Sequence, residues 1–393
     1  MSQHTYYFDN AATTKISKEV IDSMQPYLNE IYGNASSIYS IGRETKKAIE
    51  VAREKVAKAI NADSNEIYFS GSGTEADNWA IKGIAFANQH KGKHIITTNI
   101  EHHAVLHTCE YLEKFGFETT YVPVKENGIV DVNDIKGATR EDTILISVML
   151  ANNEIGTIQP IKEIGELAKE KNIYFHTDAV QTIGNIPVDV KELNVDLLSL
   201  SAHKFHGPKG VGVLYIRDGV NIDNLLHGGG QEKRRRASTE NIAGIVGLGT
   251  AIEIATKDIP KKAEYLKTLR EKTINGLTEN IPEIIVNGDR EKRLPGNVNV
   301  CFKYIEGESI LLHLDQYGIC ASSGSACTSG SLEPSHVLLA IGLPHEIAHG
   351  SLRLSFSEEN TEEEVDYLLE KLPPIIKNLR NMSPLYNKSN CKN

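Results

Sequence analysis

Between residues 67 and 216, short apolar runs alternate with longer stretches in which apolar positions recur every three or four residues. The runs predict strands at Ile67 to Ser70, His94 to Thr98, Thr119 to Val124, Thr143 to Met149, Ile173 to Thr177, Val195 to Leu200 and Val211 to Ile216. Helices are predicted around them. In Thr45 to Ile60 the residues Ala48, Ile49, Ala52, Val56, Ala59 and Ile60 fall on one face, and further helices cover Glu75 to Asn88 and Ala104 to Phe115. This alternation implies an α/β fold, a mostly parallel seven-stranded sheet with crossover helices. Near residue 260, Ile259-Pro260 and a charged helical stretch precede more loosely spaced signals, so a smaller α+β domain is expected there. Residues 15–258 then form the large domain, and the arm 1–14 packs with 259–393 as the small one. Thr361 with Glu364 makes a capping box for a late helix that Pro373-Pro374 should break or kink, and Ser383 to Asn393 reads as a frayed tail.

The 393 residues are enough for two or three domains with a large core, and the composition is that of an ordinary globular chain. A formal net charge of -10 argues against nucleic acid or an anionic membrane as the main partner. There is no basic-then-apolar leader, and no apolar run nears the roughly 20 residues of a membrane span, so a cytoplasmic location is expected. Cys109, Cys301, Cys320, Cys327 and Cys391 are odd in number and scattered, which fits a reducing compartment rather than a disulfide framework. No CxxC or His/Cys cluster suggests a stable metal site.

The candidate chemistry centres on residues 198 to 210, LSLSAHKFHGPKG, where an apolar strand runs into a polar turn presenting His203 and Lys204. An amine in a low-dielectric pocket beside an imidazole loses its proton more readily and can form a Schiff base with a carbonyl. A plain surface turn is the other reading. Lys209 is the rival amine, but Pro208 and Gly210 mark its turn as exposed. Upstream, Ser70-Gly71-Ser72-Gly73-Thr74 follows a strand and opens a helix, so backbone amides with the Ser72 and Thr74 hydroxyls can cradle a phosphate. It is neither a P-loop nor a GxGxxG turn, and an ordinary tight turn stays open. Asp178 closes the strand in IYFHTDAVQT, either facing the crevice at the carboxyl end of the sheet or capping a helix. His102 precedes a helix, where it can stack on a flat ring or cap and pack. Together an amine, a cradle, a strand-end carboxylate and an imidazole suit pyridoxal 5'-phosphate. A carboxylate about 4 Å from the pyridine nitrogen contributes about 4 kcal/mol at an effective dielectric of about 20, enough to keep that nitrogen protonated.

The segments FDNAATT, YGNASS, IEHHAVL, ANNEIGT, HTDAVQ, SAHKFHGPKGVG, HGGGQE, SSGSACTSGSLEPSH and GSLRLSFS follow one another over nearly the whole chain. In kind and order they resemble the signatures of the cysteine desulfurases of the NifS/IscS type, class V aminotransferases of the fold-type I pyridoxal-phosphate group. The resemblance implies that Lys204 holds the cofactor aldehyde and then acts as general base. It implies that Asp178 pairs with the pyridine nitrogen, Gln181 contacts the ring hydroxyl, and His102 stacks on the ring. Gly73, Thr74, Ser201 and His203 would bind the phosphate. Thr239, in RRRASTEN, would reach the phosphate of the other subunit of a homodimer, and Asn153, Arg353 and Asn34 would hold the substrate carboxylate.

In the loop Ala321 to Ser331, ASSGSACTSGS, every residue is small, so its cysteine can move, or is incidental to a flexible surface loop. By resemblance Cys327 carries the persulfide, and the following LEPSH matches the long-loop group. The implied activity converts L-cysteine to L-alanine and passes sulfur to acceptors or scaffolds of iron–sulfur assembly, tRNA thiolation or both, with Cys327 able to ligate a cluster transiently through a partner. The rival readings are an aminotransferase or selenocysteine lyase of the same fold and a non-catalytic sulfur-transfer scaffold. The basic run Lys233 to Arg236 is either a solvated face or part of a dimer interface, and it lacks the glycine the family usually has among these positions.

Overall fold

The structure, a computed structural model, describes residues 4–323 and 333–386. In chain order the strands are β1 (Tyr6–Tyr7), β2 (Ile67–Ser70), β3 (His94–Thr98), β4 (Glu118–Val122), β5 (Thr143–Ser147), β6 (Tyr174–Asp178), β7 (Leu197–Ser201), β8 (Gly212–Ile216), β9 (Ile284–Val286), β10 (Asn297–Phe302), β11 (Ile319–Cys320) and β12 (Ser351–Ser355). All seven strands expected between residues 67 and 216 join one sheet, in the order β2-β8-β7-β6-β5-β3-β4. The pairings among β7, β6, β5, β3 and β4 are parallel, and β8 runs antiparallel to both of its neighbours.

Successive side chains of a strand point to opposite faces, so a sheet covered on both sides needs apolar residues at consecutive positions. Ile95 and Ile96, Leu145 and Ile146, and Leu197 and Leu198 divide in this way between two cores. One face packs Ile49, Ala52 and Val56 of the helix Ser40–Ala59 and Leu248 and Ile252 of Ile242–Ala255. The other packs Trp79, Ile81 and Ile84 of Gly73–Asn88 and Val105 and Leu112 of His103–Glu113.

A separate core joins Phe8 to residues between Leu266 and Leu379. Its frame is the antiparallel sheet β12-β10-β9 with the helices Ile259–Asn280 and Glu362–Met382. The arm is tied in by the parallel pair β1 and β11.

The Thr361 capping box forms; of the break or kink expected at Pro373-Pro374 the break does not occur, since Glu362–Met382 is one helix with both prolines inside it. Pro374 is exposed and Pro373 half-buried, while Leu368, Leu372, Ile375, Ile376 and Leu379 are buried on the other face. Packing of that apolar face outweighs the lost backbone bonds, and carbonyls on the outer side can turn to water. Of the tail, Tyr386 still packs against Tyr304, with ring centroids 5.7 Å apart, and 387–393 lie outside the described residues.

Candidate active site

The carboxyl ends of the central strands open on a cavity of about 370 Å³, the position at which open α/β sheets hold ligands. Lys204, in the tight turn Ala202–Lys204 after β7, lines it and donates from Nζ to the carbonyls of Ala11 (2.6 Å) and Ala12 (2.8 Å). The arm carrying those carbonyls is pinned by Thr14, whose backbone nitrogen and Oγ1 both donate to the carbonyl of His203 (2.9 and 3.0 Å). Gln181 also lines the cavity and donates to Ala11 O (3.0 Å). Lys209, the rival amine, is exposed and does not line it.

The helix Gly73–Asn88 starts at the same cavity, with Gly73, Thr74, Ser201 and His203 among the lining residues. A Cβ on Gly73 would lie 2.8 Å from Val180 Cγ2 and 3.3 Å from Ser201 Cβ, so glycine lets the helix N-terminus close against the end of β7. Ser72 caps that helix, its Oγ accepting from Glu75 N (3.1 Å), and so is committed locally.

For two residues the local reading is settled: His102 caps a helix, whereas Asp178 is followed by a turn and not by a helix. Asp178 closes its own turn by accepting from Val180 N (2.8 Å), and His102 caps His103–Glu113 by accepting from Ala104 N (3.1 Å). Both also line the cavity. Asn153 and Arg353 complete the wall. Arg353 donates from Nη1 to Asn153 O (3.0 Å) and from Nη2 to Asp9 Oδ1 (2.9 Å), and its buried Nε has no hydrogen-bond partner among the described residues.

Burial sets the electrostatics. It raises the Asp178 carboxyl to about 6, against the lowering pull of Val180 N and Lys204. It also lifts Asp77 well above the carboxylate range, with the Asp178 charge adding to the rise. Glu101 is pushed up to about 8 by burial, although Thr98 Oγ1 (2.6 Å) and Met149 N (3.0 Å) donate to it. Like charges this close in a dry site are not all ionised together, so a cation delivered beside Asp178 is favoured. Burial, then Lys204, lowers His102 and His203 to about 4, which leaves neutral imidazoles at neutral pH.

Asp77, Glu101 and the Ala11 and Ala12 carbonyls were not among the sequence candidates. Asp77 had a signal, a carboxylate inside the apolar stripe Ala76, Ala80, Ile81 and Ile84, whereas Glu101 and the carbonyls had none. Two candidates lie away from this cavity. Thr239 is exposed on the loop before Ile242–Ala255, and exposed Asn34 accepts from Ser36 N (2.8 Å). Cys327 and Cys391 lie outside the described residues, though the segments flanking 324–332 are anchored near the site: Ser322 bridges Arg353, and Ser335 Oγ donates to Glu154. Burial raises the thiols of Cys109 to about 12 and Cys301 to about 11. In the basic run, Lys233 donates to Ser64 O (3.3 Å), Arg235 to Ile222 O (3.0 Å) and Arg236 to Glu75 (2.6 Å), so three of these cations contact their own chain. Among the described residues no group of side chains could hold a metal ion, and no helix is long and apolar enough to cross a membrane.

Open α/β sheets with a helix N-terminus at the switch point commonly serve nucleotides, but an amine held at the end of β7 opposite a strand-end carboxylate sets this one in another class, the fold-type I pyridoxal-phosphate enzymes. The aminotransferase class-V profile matches residues 6–368, and the chain belongs to that family. It is 63% identical over 382 residues to the cysteine desulfurase IscS of Clostridium botulinum, covering 97% of this chain and 96% of that one. Among solved structures it is similar to a NifS-like protein, with TM-score 0.90, 43% identity and coverage of 96% and 100% of the two chains. It is also similar to SspA in complex with cysteine, with TM-score 0.80, 39% identity and coverage of 89% and 98%.

Proposed function

We propose that the protein is a pyridoxal-phosphate-dependent cysteine desulfurase, converting L-cysteine to L-alanine and leaving the sulfur as a persulfide on Cys327. The acceptors are then proteins of iron–sulfur assembly, tRNA thiolation or both. The observation that carries this reading is the convergence of Lys204, Asp178, His102 and Gln181 with the Gly73-Thr74 turn on one cavity, in a chain whose near relatives are named for that activity.

The donor chemistry fits the cofactor. Helix amides with Thr74, Ser201 and His203 suit a phosphate, and a pyridinium beside Asp178 relieves a crowded set of carboxyls. When bound, pyridoxal phosphate supplies an electron sink for the charge that develops at the substrate Cα. Arg353 and Asn153 hold the substrate carboxylate, and the Nε of Arg353, buried and without a partner among the described residues, supports this, whereas Asn34 lies away from the cavity. Lys204 Nζ takes and returns the Cα proton, and the neutral His102 covers the ring face. The Cys327 thiolate takes the sulfur: the substrate C–S bond breaks, an S–S bond forms, and the electrons left on carbon are protonated to give alanine. The high thiol pKa values of buried Cys109 and Cys301 favour Cys327 as the acceptor.

The working form in this reading is a cytoplasmic homodimer, in which exposed Thr239 serves the partner subunit's phosphate site. Residues 15–258 act as one body and 1–14 with 259–393 as another, a division supported by the separate core around Phe8. Cys327→Ala tests the proposal. The variant should bind pyridoxal phosphate with an unchanged visible spectrum and still show a spectral response to L-cysteine, with alanine and sulfide at background. Near wild-type turnover, with mass spectrometry finding the persulfide on another cysteine, would overturn it.

A further inference from the structure

The loop between β8 and Ile242–Ala255 contains a left-handed turn built without glycine. Glu232, Lys233 and Arg234 have φ of 43°, 56° and 67°, and Ser238 follows at 97°. The turn is closed by Arg234 N donating to Gln231 O (2.8 Å) and Arg235 N to Glu232 O (2.9 Å). L-residues disfavour this region because Cβ crowds the carbonyl, and three in a row is far from the usual single residue. Such an outlier persists only where its surroundings over-determine it.

Those surroundings are two ties, one buried and one half-buried. The Glu232 carboxylate accepts from Arg53 Nη2 (2.8 Å), Arg53 Nη1 (2.9 Å) and Phe69 N (2.8 Å), with Glu232 and Arg53 6% and 2% exposed. Arg53 is held in turn by donating to Ile67 O (2.6 Å) and lying over the Phe69 ring at 4.9 Å. Further along, Arg236 Nε donates to Glu75 Oε1 (2.6 Å), and Glu75 Oε2 accepts from Gly71 N in the glycine turn (2.9 Å). The segment is thus fastened both to β2 and to the turn that β2 feeds. A buried ion pair is weak grounds for stability, and the backbone it holds is unfavourable, so stability alone does not account for the arrangement.

We propose that the Arg53–Glu232 pair is a positioning device: it drives residues 232–238 through the left-handed turn and so sets where Thr239 leaves the surface to meet the neighbouring subunit's phosphate. This rests on the reading that two copies share each site. The pair touches neither cofactor nor substrate and acts through Thr239.

The test is the affinity of the apo-dimer for pyridoxal phosphate, measured by titration, with the dimer followed by sedimentation velocity. Thr239→Ala and Glu232→Gln should each weaken binding about tenfold, the scale of one charge-assisted hydrogen bond, with the dimer intact. Glu232→Gln combined with Thr239→Ala should be no weaker than Thr239→Ala alone. Adding Ser238→Gly, which lets position 238 take its φ without strain, should restore most of the affinity lost in Glu232→Gln. Where Glu232→Gln does not fold, Arg53→Lys, which keeps the charge but loses the fork, is read in the same way. Additive losses, or wild-type affinity in Glu232→Gln beside a weakened Thr239→Ala, would overturn the positioning role. Wild-type affinity in Thr239→Ala would instead remove the shared-site reading, and the proposal with it.

Discussion

Arg353 Nη1 and Nη2 are held by Asn153 O and Asp9 Oδ1, which leaves Nε as a buried donor without an acceptor among the described residues. Such a group costs about 1–3 kcal/mol, and a bound carboxylate removes the cost. Arg353→Lys keeps the charge and loses the fork, so KM for L-cysteine should rise about 10- to 100-fold with a smaller change in kcat. An unchanged KM in steady-state alanine assays would remove the carboxylate role. Glu101 carries a different prediction. Its folded-state pKa, about 8, lies above the ordinary 4.5, so its contribution to stability is full below about 4.5 and is lost as pH rises through about 8. Glu101→Gln should therefore flatten the loss of thermal stability between mildly acidic and alkaline pH, at about 1 °C per kcal/mol for a chain of this size, given an unfolding entropy of about 2 cal/mol/K per residue. A parallel loss in wild type and variant would show that Glu101 is not the group being titrated. Lys204, Asp178 and His102 could be read from the sequence because each ends a strand or starts a helix, where an apolar pattern stops abruptly. The raised pKa of Glu101 could not, since it comes from burial by residues distant in the chain.

At the scale of elements, the strands were legible because the sheet is covered on both faces, which turns each inner strand into a continuous apolar run. The unbroken helix at Pro373-Pro374 has an equally physical cause: local chemistry opposes a helix there, and the packed face of Leu368, Leu372, Ile375, Ile376 and Leu379 keeps it whole. Pro373→Ala and Pro374→Ala together should restore two backbone donors and raise stability by about 1–3 kcal/mol, given a helix-interior proline cost of about 3 kcal/mol. The check is a higher urea midpoint at unchanged slope. A lower midpoint would mean that the pyrrolidine rings contribute more packing than they cost in hydrogen bonds.

For the whole molecule, the site is assembled from distant stretches: carbonyls of residues 11 and 12, the turn after β2, the ends of β6 and β7, and Arg353 on β12. Thr239 and Asn34 stand apart from it in the single chain. If Thr239 serves the neighbouring subunit, mixing Thr239→Ala with Lys204→Ala chains should create heterodimers with one intact and one doubly impaired site. These should recover about half of wild-type activity per heterodimer, since one of two sites is complete. Activity no better than that of either parent would count against sharing.

The amino-acid sequence by itself determined the strand order along the chain, the parallel sheet, the amine at the end of β7 and the family to which the motifs point. These follow from periodicity and from residues adjacent in the chain. Tertiary structure alone decided that Ala11 and Ala12 hold Lys204, that Arg353 Nε finds no acceptor among the described residues, that Asp77 and Glu101 join Asp178 in one dry cluster, and that a left-handed turn at 232–234 is held by Arg53. Each depends on groups tens to hundreds of residues apart meeting where water is excluded, and no local pattern records such a meeting.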